Sequence, residues 1–230
     1  MTVPQTTLDA LTTAAAAAAD KLGTHIVAFD VAERLGLTGT TVIGYVGGLV
    51  HYEGLDLLFR AAAQMREHRQ DFHVLIVGDG AHQRTLHALV EELDLGDLVT
   101  FTGRIPHEDV EDYLSLVDIT PFPRKPLKVC ELISPIKPFE AMATGLPVLV
   151  SDLPALTEIT GEGAWGESFA AGDAGALTDA LERLARDPER RAELAAAGRA
   201  WVETERSWAA NGQRYAQVYE QVLGARAWPR

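Results

Sequence analysis

The chain has 230 residues, of which 47% are hydrophobic and 23% are charged, and its formal net charge at pH 7 is −13. A soluble globular chain of this size has room for one large α/β domain with additional helices, but not for two such domains. The negative charge argues against a surface for nucleic acid or anionic lipid, because such surfaces need an excess of Lys and Arg.

The cysteine content and the apolar runs indicate a compartment. The single cysteine, Cys130, excludes an internal disulfide and gives no metal-site spacing, which fits a reducing compartment. No apolar run approaches the roughly 18 to 20 residues of a membrane span. The alanine run near the N-terminus lacks the basic flank of a secretory signal. We therefore expect a cytoplasmic protein, free or peripheral to the inner face of the membrane.

Apolar runs alternate with amphipathic segments from residue 41 onward. Strands are predicted at residues 41–46, 72–77, 99–102, 118–121, 148–151 and 167–170. Helices are predicted at residues 55–65, 83–93 and 108–116, and a short one follows Lys137. Strands that alternate with helices predict an α/β fold with a doubly wound parallel sheet. Its ligand is expected at the carboxyl ends of the strands, near a switch in strand order.

Three regions follow from this pattern. Residues 1–40 are predicted to be a linker or helical extension that contains an alanine-rich helix at residues 7–21. Residues 41–175 form the α/β domain. Residues 176–230 form a C-terminal helical tail that packs on the same domain. The aromatic residues of the tail are expected to serve packing rather than sugar binding: Trp201, Trp208, Tyr215 and Tyr219.

Residues 134–151 combine the features of an anion site. Prolines flank Lys137, a short apolar helix follows, and Gly145 ends that helix before a strand. Lys137 and the free N–H groups of the first helical turn would favour an anion at one spot. Glu140 follows one turn later, where its carboxylate can accept hydrogen bonds from sugar hydroxyls. Three of the four lysines, including Lys125 and Lys128, lie within thirteen residues, so this acidic chain concentrates its positive charge here.

Structural interpretations of these residues stay open. Glu140 and Lys137 can be solvated surface charges. The segment containing Arg124, Lys125 and Lys128 can be a mobile basic loop. Glycines after the first two predicted strands can serve tight turns alone.

Motifs in consistent order carry a resemblance to a known family. They are Gly47-Gly48, Gly54-Leu55-Asp56, Gly78-Asp79-Gly80, Gly103-Arg104-Ile105-Pro106, residues 134–140 and Ser151-Asp152. Residues 41 to about 159 resemble the C-terminal, donor-binding half of a GT-B glycosyltransferase of family four, a large retaining class. The resemblance implies the Rossmann-like half of a GT-B fold.

The resemblance also implies roles for individual residues. Glu140 would hold the ribose hydroxyls of a nucleotide diphosphate sugar, and the backbone amides of Ile136 and Lys137 would take the diphosphate. The loop at Arg104-Ile105 would lie along the base, Gly47-Gly48 would contact the donor, and Glu131 would contact the transferred sugar. Lys137 would also stabilise the leaving phosphate during catalysis.

Two departures from the family pattern affect these roles. Eight residues separate Glu131 from Glu140, where the family often has seven. The family's role for this glutamate therefore carries over to Glu131 less directly than the role of Glu140 does. The positions of a common arginine and lysine hold Gly48 and Glu53. The donor's charge would then be met by Lys137, Arg124 or a neighbour, and Glu53 would be unfavourable beside a diphosphate unless it turns away.

The expected function is donor binding in a retaining glycosyltransferase, which moves a sugar from a nucleotide diphosphate to an acceptor hydroxyl without metal or cofactor. One alternative is a nucleotide-binding or interaction module that lost transfer, and a weaker one is another GT-B enzyme such as a nucleotide-sugar epimerase. About 40 residues precede the first predicted strand, too few for the roughly 100 or more of an α/β domain. An acceptor domain is therefore expected to be missing or supplied by a partner chain, and self-association is a second possibility. The base, UDP or GDP, and the acceptor, a glycan, lipid or small molecule, stay open.

Overall fold

The computed structural model describes residues 31–33, 35–37 and 39–223. The strands are β1 (Thr41–Val46), β2 (Phe72–Val77), β3 (Val99–Gly103), β4 (Thr120–Phe122), β5 (Val148–Ser151) and β6 (Glu167–Phe169). The helices are α1 (Leu55–Arg66), α2 (Gln83–Glu92), α3 (Val110–Leu114), α4 (Lys128–Leu132), α5 (Lys137–Ala143), α6 (Pro154–Thr160), α7 (Ala174–Arg186), α8 (Pro188–Glu205) and α9 (Trp208–Leu223). Single 3-10 turns lie at His51–Glu53, His107–Asp109 and Gly161–Gly163.

All strand pairings are parallel within two three-stranded groups, β1-β2-β3 and β4-β5-β6. An isolated parallel bridge between Ile43 and Ile119 joins the groups, and the N–H of Gly44 donates to the carbonyl of Ile119 at 2.9 Å. The strand order across both groups is therefore 3-2-1-4-5-6, with its switch between β1 and β4. This order confirms the predicted doubly wound sheet.

Buried apolar residues explain why these elements form. In β2 all residues except His73 are buried, as expected for a parallel strand covered on both faces. Helix α1 buries Leu55, Leu58 and Met65, which recur at helical spacing against the sheet.

The first two helices of the C-terminal tail pack on the same core. The Thr178 hydroxyl of α7 lies 3.3 Å from the carbonyl oxygen of Ala61 in α1. On α8, the Trp201 ring stacks on Trp165 at 5.0 Å and on Phe139 at 5.8 Å between centroids. The division at residues 40 and 175 stays a prediction, and the alanine-rich helix at residues 7–21 lies outside the described residues.

Some predicted boundaries differ for local reasons. The helix predicted at 108–116 is a 3-10 turn followed by α3, which ends at Leu114. Just past that end, the hydroxyl of Ser115 donates to the carbonyl of Asp112 at 2.7 Å, a local bond that competes with helical pairing. Strand β4 starts at Thr120 rather than residue 118, because the side chain of Asp118 takes the N–H of Val42 at 2.8 Å.

Helix α9 corrects the expectation that the tail aromatics pack. Trp208 is 86% exposed and Tyr215 65% exposed, and no residue of α9 is buried, whereas Trp201 packs as expected. Helix α9 contacts α8, but its apolar side chains face solvent. Within the part of the chain described, no helix combines the length and apolar character that crossing a membrane requires.

Candidate functional site

The loops after β1, β2, β3 and β4 meet at the carboxyl edge of the sheet. The N–H of Gly47 donates to the carbonyl of Val77 at 2.9 Å, and that of Gly78 to Gly103 at 2.9 Å. Across the switch point, the N–H of Lys125 donates to Tyr52 at 3.1 Å. The motifs that carry the family resemblance therefore converge where a doubly wound sheet binds its ligand.

Two glycines allow this convergence. Gly47 has φ of +151°, and a Cβ at this position would overlap with Cε of Lys137. Gly54 has φ of +74°, and a Cβ there would overlap with the carbonyl of Pro123. L-residues rarely adopt these conformations, so glycine is required both for the backbone and for close approach.

A buried carboxylate, that of Glu53, joins two cations at this edge. Its Oε1 lies 2.8 Å from Nζ of Lys137 and 3.2 Å from Nη2 of Arg124, and Glu53 is only 1% exposed. Burial alone would raise the pKa of Glu53, but the hydrogen bonds from Lys137 and Arg124 outweigh it and lower that pKa below its usual value. Glu53 therefore turns inward, away from the surface where a diphosphate would repel it.

Tyr45 completes the cluster from strand β1. Its hydroxyl lies 3.2 Å from the carbonyl oxygen of Gly48, and its ring lies 5.7 Å from Nζ of Lys137. Burial, and then the charge of Glu53, raises the pKa of the Tyr45 phenol, which stays neutral. The side chain of Lys137 thus lies over Gly47, between the ring of Tyr45 and the carboxylate of Glu53.

The other cations of the region are matched by local partners. Arg124 has a side chain only 8% exposed, and its Nη1 also donates to the carbonyl of Ile133 at 3.2 Å. Lys125 pairs with Asp56 at 2.8 Å, and Lys128 pairs with Glu131 at 3.1 Å. These contacts do not favour a mobile basic loop. The ammonium of Lys137 keeps the most direct access to the site among the cations bound to Glu53, with a side chain 24% exposed.

The remaining predicted residues lie around this cluster. Ile136 and Glu140 are exposed at the start and first turn of α5, and Arg104 is exposed in the loop directly after β3, next to Ile105. Glu131 lies on α4, a different helix from Glu140, with the extended residue Ile133 between them. The extra residue between the two glutamates therefore does not rotate one against the other along a helix.

Sequence reasoning considered that Glu53 turns away from the diphosphate, but it missed the ion pairs of Glu53 with Lys137 and Arg124 and the participation of Tyr45. The one available signal was the placement of a glutamate where the family pattern has a cation, close to an unusual concentration of lysines. Across residues 31–33, 35–37 and 39–223, no group of three or more His, Cys, Asp or Glu side chains is arranged to hold a metal. The expectation of a metal-free reaction stays a prediction.

Comparison with known proteins identifies relatives of most of the described region. The profile of the family described as glycosyl transferases group 1 matches residues 30–201. A curated relative from Corynebacterium glutamicum is a GDP-mannose-dependent monoacylated alpha-(1-6)-phosphatidylinositol monomannoside mannosyltransferase. It is 36% identical over 193 residues, which cover 82% of this chain and 49% of the relative.

Solved structures give the same result for the fold. Sucrose-phosphate synthase from Thermosynechococcus elongatus superposes with a TM-score of 0.70 at 30% identity, covering 85% of this chain and 49% of the synthase. HepE from Anabaena, solved in complex with UDP, superposes with a TM-score of 0.74 at 20% identity, covering 85% of this chain and 52% of HepE. The chain therefore spans about half the length of these relatives.

Proposed function

The chain belongs to the family of glycosyl transferases group 1, and from this premise we propose that it binds the nucleoside diphosphate of a sugar donor at the edge between β1 and β4. The observation that carries the proposal is the placement of the Lys137 ammonium over the glycine loop after β1. A partly exposed cation at the switch point matches the diphosphate of such a ligand.

Residue roles follow from this placement. Lys137 faces the diphosphate, which the backbone amides of Ile136 and Lys137 also approach, and Glu140 accepts hydrogen bonds from the ribose hydroxyls. Gly47 and Gly48 let the donor come close to the loop after β1.

The base and the transferred sugar are assigned to flanking loops. The loop at Arg104-Ile105 lies along the base, and Glu131 approaches the transferred sugar. Arg124 contributes to donor binding from beneath the surface, through Glu53. UDP-sugars and GDP-sugars are both retained as donors, since the proteins named above include a GDP-mannose-dependent enzyme and a structure solved with UDP.

The complete reaction is transfer of the sugar to an acceptor hydroxyl with retention at the anomeric carbon. As the bond between the anomeric carbon and the diphosphate breaks, the acceptor oxygen bonds to that carbon and its proton passes to the departing phosphate. Lys137 stabilises the negative charge that develops on the departing diphosphate. The acceptor is a glycan, lipid or small molecule held by groups outside this domain, from the same protein, a partner chain or a second copy. The protein works in the cytoplasm or at the inner face of the membrane.

Calorimetric titration with UDP, GDP and their sugars tests the proposal. We expect one of the two nucleoside diphosphates to bind, and the corresponding nucleotide sugar to compete with it for the same site. An absence of binding by every member of the panel would contradict the proposed function.

The buried glutamate at position 53 favours a second candidate, a nucleotide-binding or interaction module of the same fold without transfer. Its carboxylate partly neutralises Lys137, and this weakens the attraction of Lys137 for a departing diphosphate. Transfer assayed with the donor that binds, in the presence of a complete acceptor domain, separates the two candidates. Binding without any transfer under those conditions would favour the module.

A further inference from the structure

We propose that Glu53 is a positioning residue, which fixes the ammonium of Lys137 at the diphosphate subsite and uses Arg124 as its buried counter-ion. The inference rests on the proposed function and adds a division of labour between the two cations. Lys137 meets the ligand, whereas Arg124 neutralises the carboxylate that holds Lys137 in place.

The geometry of the carboxylate supports this division. Oε1 of Glu53 accepts from both Lys137, at 2.8 Å, and Arg124, at 3.2 Å. Oε2 of Glu53 and Nε of Arg124 are buried without a hydrogen-bond partner among the described residues. Both cations are therefore held through the same oxygen of Glu53, so the two ion pairs form one connected cluster.

The backbone around Glu53 makes it a rigid anchor. Glu53 ends the 3-10 turn His51–Glu53, and the next residue, Gly54, lies tightly against the carbonyl of Pro123. Glu53 itself is only 1% exposed, so its carboxylate is enclosed by protein. Glu53 is therefore able to fix a flexible side chain from another element.

Lys137 needs such an anchor because it reaches the site from α5, across the loop after β1. Its side chain has several rotatable bonds, and its Cε passes directly over Gly47. The ring of Tyr45 attracts the ammonium at 5.7 Å but does not fix its direction. Without the carboxylate, the ammonium would turn to water and lose its defined place.

The charges of the cluster allow a matched test. Glu53 contributes −1, Arg124 +1 and Lys137 +1, so the cluster carries +1, and the variant Glu53→Met/Arg124→Met also carries +1, on Lys137 alone. Replacing a buried ion pair by apolar side chains is often neutral or stabilising, so this variant is expected to fold. It removes the anchor without changing the net charge near the ligand.

The experiment measures the affinity for a nucleoside diphosphate and for its nucleoside by calorimetry, in a double-mutant cycle. The four proteins are the wild type, Glu53→Met/Arg124→Met, Lys137→Met and the triple variant. We expect the paired variant to lose about tenfold in affinity for the diphosphate while its affinity for the nucleoside is unchanged, since only the diphosphate contacts Lys137. In the Lys137→Met background, the paired change is expected to have no further effect on the diphosphate.

Three results would overturn the inference. The first is a paired variant that binds the diphosphate as tightly as the wild type or more tightly, which would make Glu53 a competitor for Lys137. The second is an equal loss for diphosphate and nucleoside, or additive losses in the triple variant, which would make the cluster merely structural. The third is a wild type that binds no diphosphate, which would remove the proposed function as well. If the wild type binds the diphosphate, and only Lys137→Met, not the paired variant, loses the preference for diphosphate over nucleoside, the proposed function stands. Only the role of Glu53 is then rejected.

Discussion

At the scale of single residues, the site depends on which side chains are absent as much as on which are present. Gly47 leaves the space through which Lys137 crosses the loop, whereas a Cβ at Gly48 would meet only the backbone oxygen of Asp79 at 4.0 Å. Two adjacent glycines therefore have different functions: one admits a cation and the other leaves open space facing the site.

The pair Gly47→Ala and Gly48→Ala tests this difference. In Gly47→Ala the new methyl overlaps with Cε of Lys137 and the backbone is strained at φ of +151°, so we expect a loss of about 1 to 3 kcal/mol in unfolding free energy and weaker diphosphate binding. Gly48→Ala is the matched control and should leave unfolding nearly unchanged. Denaturant unfolding and calorimetry of both variants measure the effects. Equal changes in unfolding free energy and in diphosphate affinity for the two variants would contradict the crossing of Lys137 over Gly47.

Glu53 also predicts a pH dependence of stability. Its pKa in the folded protein lies below its ordinary value of 4.5, so its contribution is fully present above about pH 4.5 and is lost as pH falls through the lower folded value. At pH 7, Glu53→Gln leaves Arg124 buried without its charged partner and should cost about 3 kcal/mol.

Denaturant unfolding from pH 7 to pH 3 measures this dependence. We expect the difference in unfolding free energy between the wild type and Glu53→Gln to narrow below about pH 4.5. A difference in unfolding free energy that stays constant throughout this range would mean that folding does not lower the pKa of Glu53.

At the scale of elements, the strands could be predicted from the sequence because buried parallel strands are continuous apolar runs. The start of β4 could not, because the side chain of Asp118 takes a backbone partner from the neighbouring strand. The ion pairs of the site could not be predicted from the sequence either. Glu53 lies 71 residues from Arg124 and 84 from Lys137, and no local pattern reports contacts at such separations. The glycine loops and the position of Lys137 could be predicted, since turn chemistry and helix starts are local.

Helix α5 carries the prediction for the ribose. If Glu140 accepts hydrogen bonds from both ribose hydroxyls, Glu140→Ala should weaken nucleotide binding by about 1.5 to 3 kcal/mol, because bonds to a charged acceptor are the stronger kind. Glu140 is exposed, so the melting temperature should change little. Glu91→Ala, which removes an exposed carboxylate from α2, is the control for a general change of charge. Equal nucleotide affinity in Glu140→Ala and Glu91→Ala would exclude Glu140 from the site.

At the scale of the whole molecule, the described domain corresponds to about half of each relative compared above. We expect the 230-residue chain on its own to bind donor but to transfer sugar slowly. Positioning an acceptor against a donor can contribute about 7 to 11 kcal/mol to lowering a barrier, and this domain alone does not supply it. Nucleotide release from nucleotide sugars, with and without acceptors, measures the turnover. A rate of about 1 per second or above, usual for complete enzymes, would contradict this expectation.

The central claim is that Lys137 meets the diphosphate of a nucleotide donor, and one comparison tests it most directly. The wild type and Lys137→Met are titrated by calorimetry with UDP, GDP, uridine and guanosine. The methionine keeps the apolar stem over Gly47 and removes the ammonium together with its ion pair to Glu53. The account predicts that the diphosphate bound by the wild type loses about tenfold or more in affinity, while the matching nucleoside binds both proteins equally. An equal loss for diphosphate and nucleoside, or no loss for either, would contradict it.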